Sequence, residues 1–534
     1  MLLPLIKLQR VSRLRSKLAN HGRTFHATRK TEILPIVAVV VFGTFARYSY
    51  RALKRIDDEW IEYQESLREY RLEHGLDVEE ETIDKQKRGS SSKVDHSSFR
   101  QLKHGILGID LGTCNIRISH RPPSSSSENN PQPTILINRE GGRSTPNKIY
   151  MDGAGHTLVG RLAQEKMFEK HRQVLNPNQL LWNERDDFLR NNSVHEVISS
   201  AVKQALETLP MLNDTIQSTI QKDTLFSIDP TIMAGQTIRP IFTYPQDHSD
   251  SSPSTPENNY IHRYKAAVKS LSYPETLALF VPQAVAIVTA AEYYKLSSRM
   301  NTQGPLLVID VGGSETQLSL VEKENKTLKV VYAYRLENFG GETLIEALMN
   351  HVVNDFYGKD MSDIQDGMAL QRVYTAASSA VLELSNNRTT TRAQINIPYL
   401  TVDEKFQPRH LDMGISKQIL EAEFASIIKE RVLLDAKRKQ ILSSSFSDPK
   451  DLPTLMASVI LKLLETAKQN PFALRCIIIA GGGTRSPIIQ SAIKEGIAQL
   501  AGEQYVNDKV VIPKDEQVEE LGALGAALMG SNEF

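Results

Sequence analysis

The sequence predicts an α/β protein in which two related lobes face a cleft. The stretches "GILGIDLGTCNIRIS" (105–119) and "GPLLVIDVGGSETQLSL" (304–320) share one pattern: an apolar run, an aspartate, glycine close behind, then alternating apolar positions. A third stretch, "CIIIAGGGTRSPIIQSAIKEGI" (476–497), reads as a buried strand, three glycines and a helix opening near Ser486–Pro487, proline being well placed in a first helical turn. Helical apolar spacing marks 193–209, 342–357, 366–385 and 451–469. Helices interleaved with strand-like runs indicate α/β layering.

The 534 residues are enough for two large lobes. Lys+Arg and Asp+Glu both number 63, so the net charge is zero. No basic field or basic-aromatic motif draws nucleic acid, so no nucleic-acid partner is expected. Two cysteines, Cys114 and Cys476, cannot form a disulfide framework, and no CxxC or HxxxH spacing points to a metal.

Charge is uneven along the chain. Residues 1–30 hold eight cations (Lys7, Arg10, Arg13, Arg15, Lys17, Arg23, Arg29, Lys30), with no acid before Glu32. Interleaved with Leu, Ile and Val, they compose a mitochondrial transit peptide over 1–32, and "RTFHAT" (23–28) resembles a presequence cleavage site. "ILPIVAVVVFGTFA" (33–46) is uncharged and, with interfacial Tyr48 and Tyr50, is read as a membrane anchor over 33–50, short against the usual span of about twenty residues. Together these place the protein in mitochondria, at the inner membrane. Residues 51–103 read as a charged helix and a flexible linker. Two polar interruptions, 121–133 and 245–259, read as surface loops.

A carboxylate at the end of a buried strand needs solvent or a cation, because desolvating its charge is costly. Asp110 and Asp310, one per lobe, suit a hydrated Mg²⁺ held through water. Gly112 and Gly312–Gly313 permit tight hairpins that aim N–H groups at phosphate oxygens, and Thr113 adds a hydroxyl. Gly481–Gly483 would let a purine and sugar approach the backbone. The absence of G-x-x-x-x-G-K-[ST] and of G-x-G-x-x-G removes the P-loop and Rossmann readings.

In order, "GIDLGTCN", "INREGGRSTPNKIY", "HTLVGRLAQE", "VLNPNQLLW", "IDVGGSETQLSL", "NFGGETL", "AQINIPYLT" and "IIIAGGGTRSP" resemble the heat-shock protein 70 (DnaK-type) chaperones over roughly 104–530. The resemblance implies an actin-like (ribonuclease H-like) two-lobed ATPase fold, preceded here by the N-terminal anchor, with ATP or ADP and Mg²⁺ in the cleft. It implies a first phosphate loop of Asp110, Gly112, Thr113 and Cys114, and a second of Asp310, Gly312 and Gly313 beside Gly340, Gly341 and Glu342. Gly481, Gly482 and Arg485 would border the adenosine, where Ser385 is also kept. Arg185 stands at the catalytic lysine position; with Thr113 and Asp310 it makes up the set implied for catalysis. Pro245, in "TYPQ", stands in the family's lobe-switching segment.

Departures from the family are expected to weaken hydrolysis. Arginine is a poor substitute for a compact ammonium at 185. Val281 replaces a glutamate near the metal, Glu315 and Gln317 replace a threonine and an aspartate, and Val381 and Leu382 replace two basic residues that sandwich adenine. Glu315 would set a negative charge against the γ-phosphate. The chain ends at "GALGAALMGSNEF", where the family continues into a client-peptide domain. The expected function is a chaperone-like ATP/ADP-binding protein with slow hydrolysis, working through co-chaperones, nucleotide-exchange or import components. The alternative is a pseudo-ATPase scaffold. A small-molecule kinase is weaker still, since no general-base aspartate is evident.

Overall fold

Each of the two aspartate strands becomes the middle of a sheet, and the two sheets repeat one order. In the first, Thr134–Ile135, Asn115–Arg121, Ile106–Leu111, Arg239–Tyr244 and Leu279–Pro282 lie side by side, with Thr145–Pro146 also pairing with Asn115–Arg121. In the second the order is Thr327–Glu337, Glu315–Glu324, Leu306–Val311, Cys476–Ala480 and Val510–Val511. Each central strand runs antiparallel to its hairpin partner and parallel to the strand on its other side. The reason is connection length: a tight turn permits only the antiparallel pairing, whereas the parallel strand needs a long crossover. Both turns close alike, Gly112 N donating to Asn115 O at 3.0 Å and Gly312 N to Glu315 O at 2.8 Å.

The computed structural model describes residues 105–529 except 124–130, 139, 152–156, 169–172, 183–186, 207–238, 249–255, 270–277, 302–303, 325–326, 387–389, 404, 447 and 515. The chain divides into residues 1–97 and 98–534, and the description concerns the second unit alone. The expected transit peptide, anchor and linker, and Arg185, lie outside the described residues. Among the described residues no helix is long and apolar enough to cross a membrane.

The predicted helices form with modest shifts: Asp187–Leu206, Gly341–Tyr357, Gly367–Asn386 and Leu452–Thr466. The first covers the first sheet together with Pro177–Trp182 and Pro256–Lys269, burying Val194, Ile198, Tyr260 and Tyr264 against Ile109 and Phe242. The other three, with Pro487–Ala501, bury Leu348, Val373, Val459 and Ile493 in the core that holds Ile309 and Ile479. The strand Cys476–Ala480 is buried throughout, as a run of consecutive apolar residues in a parallel position demands.

Helices Gln283–Tyr293 and Gln517–Met529 lie between the sheets. Small residues let them in. A Cβ at Gly525 would overlap the Ala286 carbonyl, and one at Gly108 would overlap the Ala523 carbonyl. Ser119 Oγ donates to that same Ala523 oxygen at 2.7 Å, tying the sheet to the helix. Ser119→Ala is expected to cost about 1 kcal/mol in urea unfolding, the net worth of one buried hydrogen bond.

One expectation is corrected. The stretch 245–259 is not a free surface loop from its start, for Pro245, Gln246 and Asp247 are buried. His248 N donates to Ala333 O at 2.8 Å, and Ala333 N donates to His248 Nδ1 at 2.9 Å. Polar composition concealed this because the polar groups bond to the second sheet's outer strand instead of water.

Candidate functional site

The two hairpin turns and the third glycine turn meet at a cleft of about 310 Å³. Of the residues named from sequence, Asp110, Gly112, Thr113, Cys114, Asp310, Gly312, Gly313, Gly341, Glu342, Ser385, Gly481, Gly482 and Arg485 line it. Gly340 does not: it sits against the carbonyls of Gly312 and Gly313, where any Cβ would overlap them. Thr113 Oγ1 accepts from Ser314 N at 3.2 Å, so the loops of the two lobes touch. Gly313 is open to this contact only because it lacks a Cβ, which would overlap the Cys114 side chain.

Each loop is held from behind. Asn178 Nδ2 donates to Leu111 O and Asn147 Nδ2 to Gly112 O, both at 2.7 Å, while Asn176 Nδ2 donates to Thr113 O. The second loop is held by a helix start: Gly341 N donates to Gly312 O at 3.0 Å and Glu342 N to Gly313 O at 2.7 Å. These N–H groups therefore orient the loop. The three asparagines were missed as functional candidates, although they stand in "STPNKIY" and "VLNPNQLLW". Asparagine beside proline is a turn signal, and here its amide grips a neighbouring loop's carbonyl.

The glycine-rich turn lines the cleft with Gly481, Gly482 and Gly483 and also packs on the second loop. Gly481 has φ of 90°, and a Cβ there would overlap Val311 O and Asp310 Oδ1. A Cβ at Gly483 would lie 2.6 Å from Val311 Cγ1. These two glycines let the turn pack on the second loop. At Gly482 the nearest atom is Glu519 Cδ at 3.5 Å, so that position faces the cleft.

Asp110 and Asp310 are both buried, at 5% and 9% exposure. Burial, then the charges of Asp110 and Glu315, push the Asp310 carboxyl up to about 7, with Arg117 opposing. Burial also raises Asp110, against the hydrogen bond that Thr243 Oγ1 donates to its Oδ1 at 2.6 Å and the charge of Arg117. Two crowded, desolvated carboxylates favour a nearby cation. The pair fits a magnesium ion held through its own waters, which needs few protein ligands. Among the described residues no cluster of three acidic, histidine or cysteine side chains adds a further donor. Cys114 also lines the cleft, its thiol pushed far up by burial and by Glu342, so it is no nucleophile.

Glu315, expected to set a negative charge against the γ-phosphate, lines the cleft but has a cationic partner. Glu315 Oε2 lies 2.8 Å from Arg335 Nη1. The same guanidinium meets Glu337 Oε1 at 2.6 Å and Asp247 Oδ2 at 3.6 Å, and stacks 3.9 Å from the Trp182 ring centroid. Gln317 donates its amide to Gln246 O at 2.7 Å. Glu315 is thus paired within the second sheet, whereas Gln317 reaches across to the first lobe through its amide nitrogen. Val381 and Leu382 line the cleft beside Ile345, Ser378 and Ser385, forming an apolar wall.

Two sheets of one topology, an acid–glycine turn from each and a third glycine turn between them form a single cleft, the arrangement expected of an actin-like fold. The Hsp70 protein family model matches residues 285–451. The chain is 24% identical over 434 residues to the chaperone protein DnaK of Thermotoga petrophila, covering 81% of this chain and 61% of that protein. It is 26% identical over 420 residues to dnaK of Emiliania huxleyi (76% and 58%), and 25% identical over 435 residues to dnaK1 of Synechocystis (79% and 53%). The chain is thus similar to Hsp70 and DnaK proteins over most of its length, and it spans somewhat over half the length of these relatives.

Proposed function

We propose that this protein binds ADP or ATP between its lobes and hydrolyses ATP slowly, acting in a chaperone-like role on protein partners. The observation that carries the reading is the convergence of both aspartate turns and the third glycine turn on one cleft. Backbone of the two turns would meet the phosphates, with Thr113 contributing its hydroxyl. Ser385 and Arg485 would flank the adenosine against the wall of Val381 and Leu382. Asp110 and Asp310 would hold a magnesium ion, which screens phosphate charge.

Slow turnover is supported by the chemistry of the cations at the cleft. Arg117 and Arg485 line it, and both are guanidinium groups paired with Glu519. A guanidinium positions a water less well than a compact ammonium and cannot take its proton. A ligand that prefers the native state raises its stability with concentration. ADP with magnesium is accordingly expected to raise the melting temperature of the purified chain in a concentration-dependent way. No shift at millimolar nucleotide would favour a scaffold without functional nucleotide binding. The contact between Thr113 and Ser314 supports that second reading, because the loops fasten to each other directly.

The mitochondrial inner-membrane assignment, with a transit peptide over 1–32 and an anchor over 33–50, belongs to the same proposal and rests on composition alone. Co-chaperones or import components are the partners it favours. Import of the labelled chain into isolated mitochondria, followed by carbonate extraction, tests both: a shortened product that stays with the membrane is expected.

A further inference from the structure

We propose that Arg117 supplies part of the charge that magnesium would bring, so that nucleotide binds this cleft with or without the metal. The inference rests on the nucleotide reading above. Arg117 stands directly opposite Asp110 in the first hairpin, so both side chains project to the same face, and both line the cleft. The matching position in the second hairpin, opposite Asp310, is Gln317, whose amide is committed to Gln246. The cation is therefore a feature of one lobe only.

Its charge is held in place. The Arg117 side chain is 12% exposed and pairs with Glu519, at the start of helix Gln517–Met529. Arg485 of the third glycine turn pairs with the same carboxylate. Glu519 thus divides its charge between two guanidinium groups instead of neutralising Arg117 alone. Arg117 opposes the upward shift of both Asp110 and Asp310, so it lies within electrostatic reach of both.

The protein's hold on a metal is weak by the same geometry. Val281, where the resemblance places a third acid, is 8% exposed and packs in an apolar cluster with Ile106, Ile241 and Ala526. A divalent ion would meet two carboxylates and a fixed guanidinium that repels it. A guanidinium built into a strand needs no dehydration of a metal ion and offers several donors to phosphate oxygens.

The competing account is that Arg117 only ties Glu519 to the first lobe. That role would move stability and leave metal dependence untouched. The test is ADP titration of the full chain by calorimetry, in excess magnesium and in excess EDTA. ADP affinity is expected to agree within about threefold between the two conditions. Arg117→Ala is expected to weaken ADP binding in EDTA by about tenfold or more, while magnesium restores most of it. Arg117→Lys, which keeps the charge, is expected to bind in EDTA nearly as the parent does, and it serves if the alanine variant fails to fold. Loss of ADP binding by the parent chain in EDTA alone overturns this inference and leaves the nucleotide reading standing. Equal weakening of Arg117→Ala in both conditions overturns it also. Absence of ADP binding in both conditions overturns the nucleotide reading and this inference together.

Discussion

Arg335→Ala is expected to lower the stability of the folded chain by about 3–5 kcal/mol, the cost of removing one partner from a buried ion network. The side chain is buried and meets Glu315, Glu337 and Asp247 at once, so its removal leaves the three acids without their shared cation. Lys439 would compensate only in part: its Nζ lies 2.9 Å from Glu337 Oε1 but no ion pair joins it to Glu315 or Asp247 among the described contacts. The Trp182 ring loses the guanidinium stacked 3.9 Å from its centroid, so tryptophan fluorescence reports the change in the native state. Urea unfolding gives the magnitude. Arg335→Lys is expected to recover little, since an ammonium cannot span several carboxylates and an aromatic face together. A loss below about 1 kcal/mol would show that the contact is only a solvated ion pair. Trp182 and Asp247 belong with the first sheet, and Glu315 and Glu337 are strand residues of the second. The variant therefore also measures how firmly the lobes are fastened.

Asp310→Asn is expected to flatten the pH dependence of stability. Burial first, then the neighbouring acids, raise the Asp310 carboxyl to about 7 from an ordinary 3.8. Between those values the folded chain keeps a proton that the unfolded chain has lost. The stabilisation from that proton is fully present below pH 3.8 and is lost as pH rises toward about 7. The parent chain should thus become easier to unfold in urea between about pH 4 and about pH 7, and Asp310→Asn should do so much less. A parent and variant with parallel pH profiles would mean that Asp310 ionises normally. That result would also remove the electrostatic crowding on which the cation site depends.

Much of the fold was legible because local chemistry and tertiary role coincide in the strands that end at the cleft. One apolar run followed by aspartate and glycine is ambiguous, but its repetition pointed to two strands in two lobes. Helices at 342–357 and 366–385 were legible from their periodicity, since each buries one face; the structure ends them at Tyr357 and Asn386. The helix Gln517–Met529 was not placed, because it is buried on nearly every side and has little amphipathic signal. Its glycines and alanines acquire meaning only against Ala286 and Gly108.

The candidate site divides in the same way. Its backbone, Gly112, Gly312, Gly313 and Gly482, could be named in advance because glycine declares where a chain turns tightly or lies open. Two of the cations could not. Arg117 and Arg335 each read as one arginine among many; although the resemblance set Arg485 beside the adenosine, nothing adjacent in the chain says that Arg335 will neutralise Glu315 or that Arg117 will share Glu519 with Arg485. Glu315 therefore read as an uncompensated charge until the neighbouring strand supplied its partner.

By itself the sequence determined which strands carry acids to their tips, where the chain reverses, and that the pattern occurs twice. Those are properties of short stretches, set by backbone sterics and by the cost of burying a lone carboxylate. Tertiary structure alone decided the electrostatic balance of the cleft: which acids are paired, which are crowded, and which lobe supplies each cation. Coulomb energy depends on distance in space and on burial, and neither follows from separation along the chain.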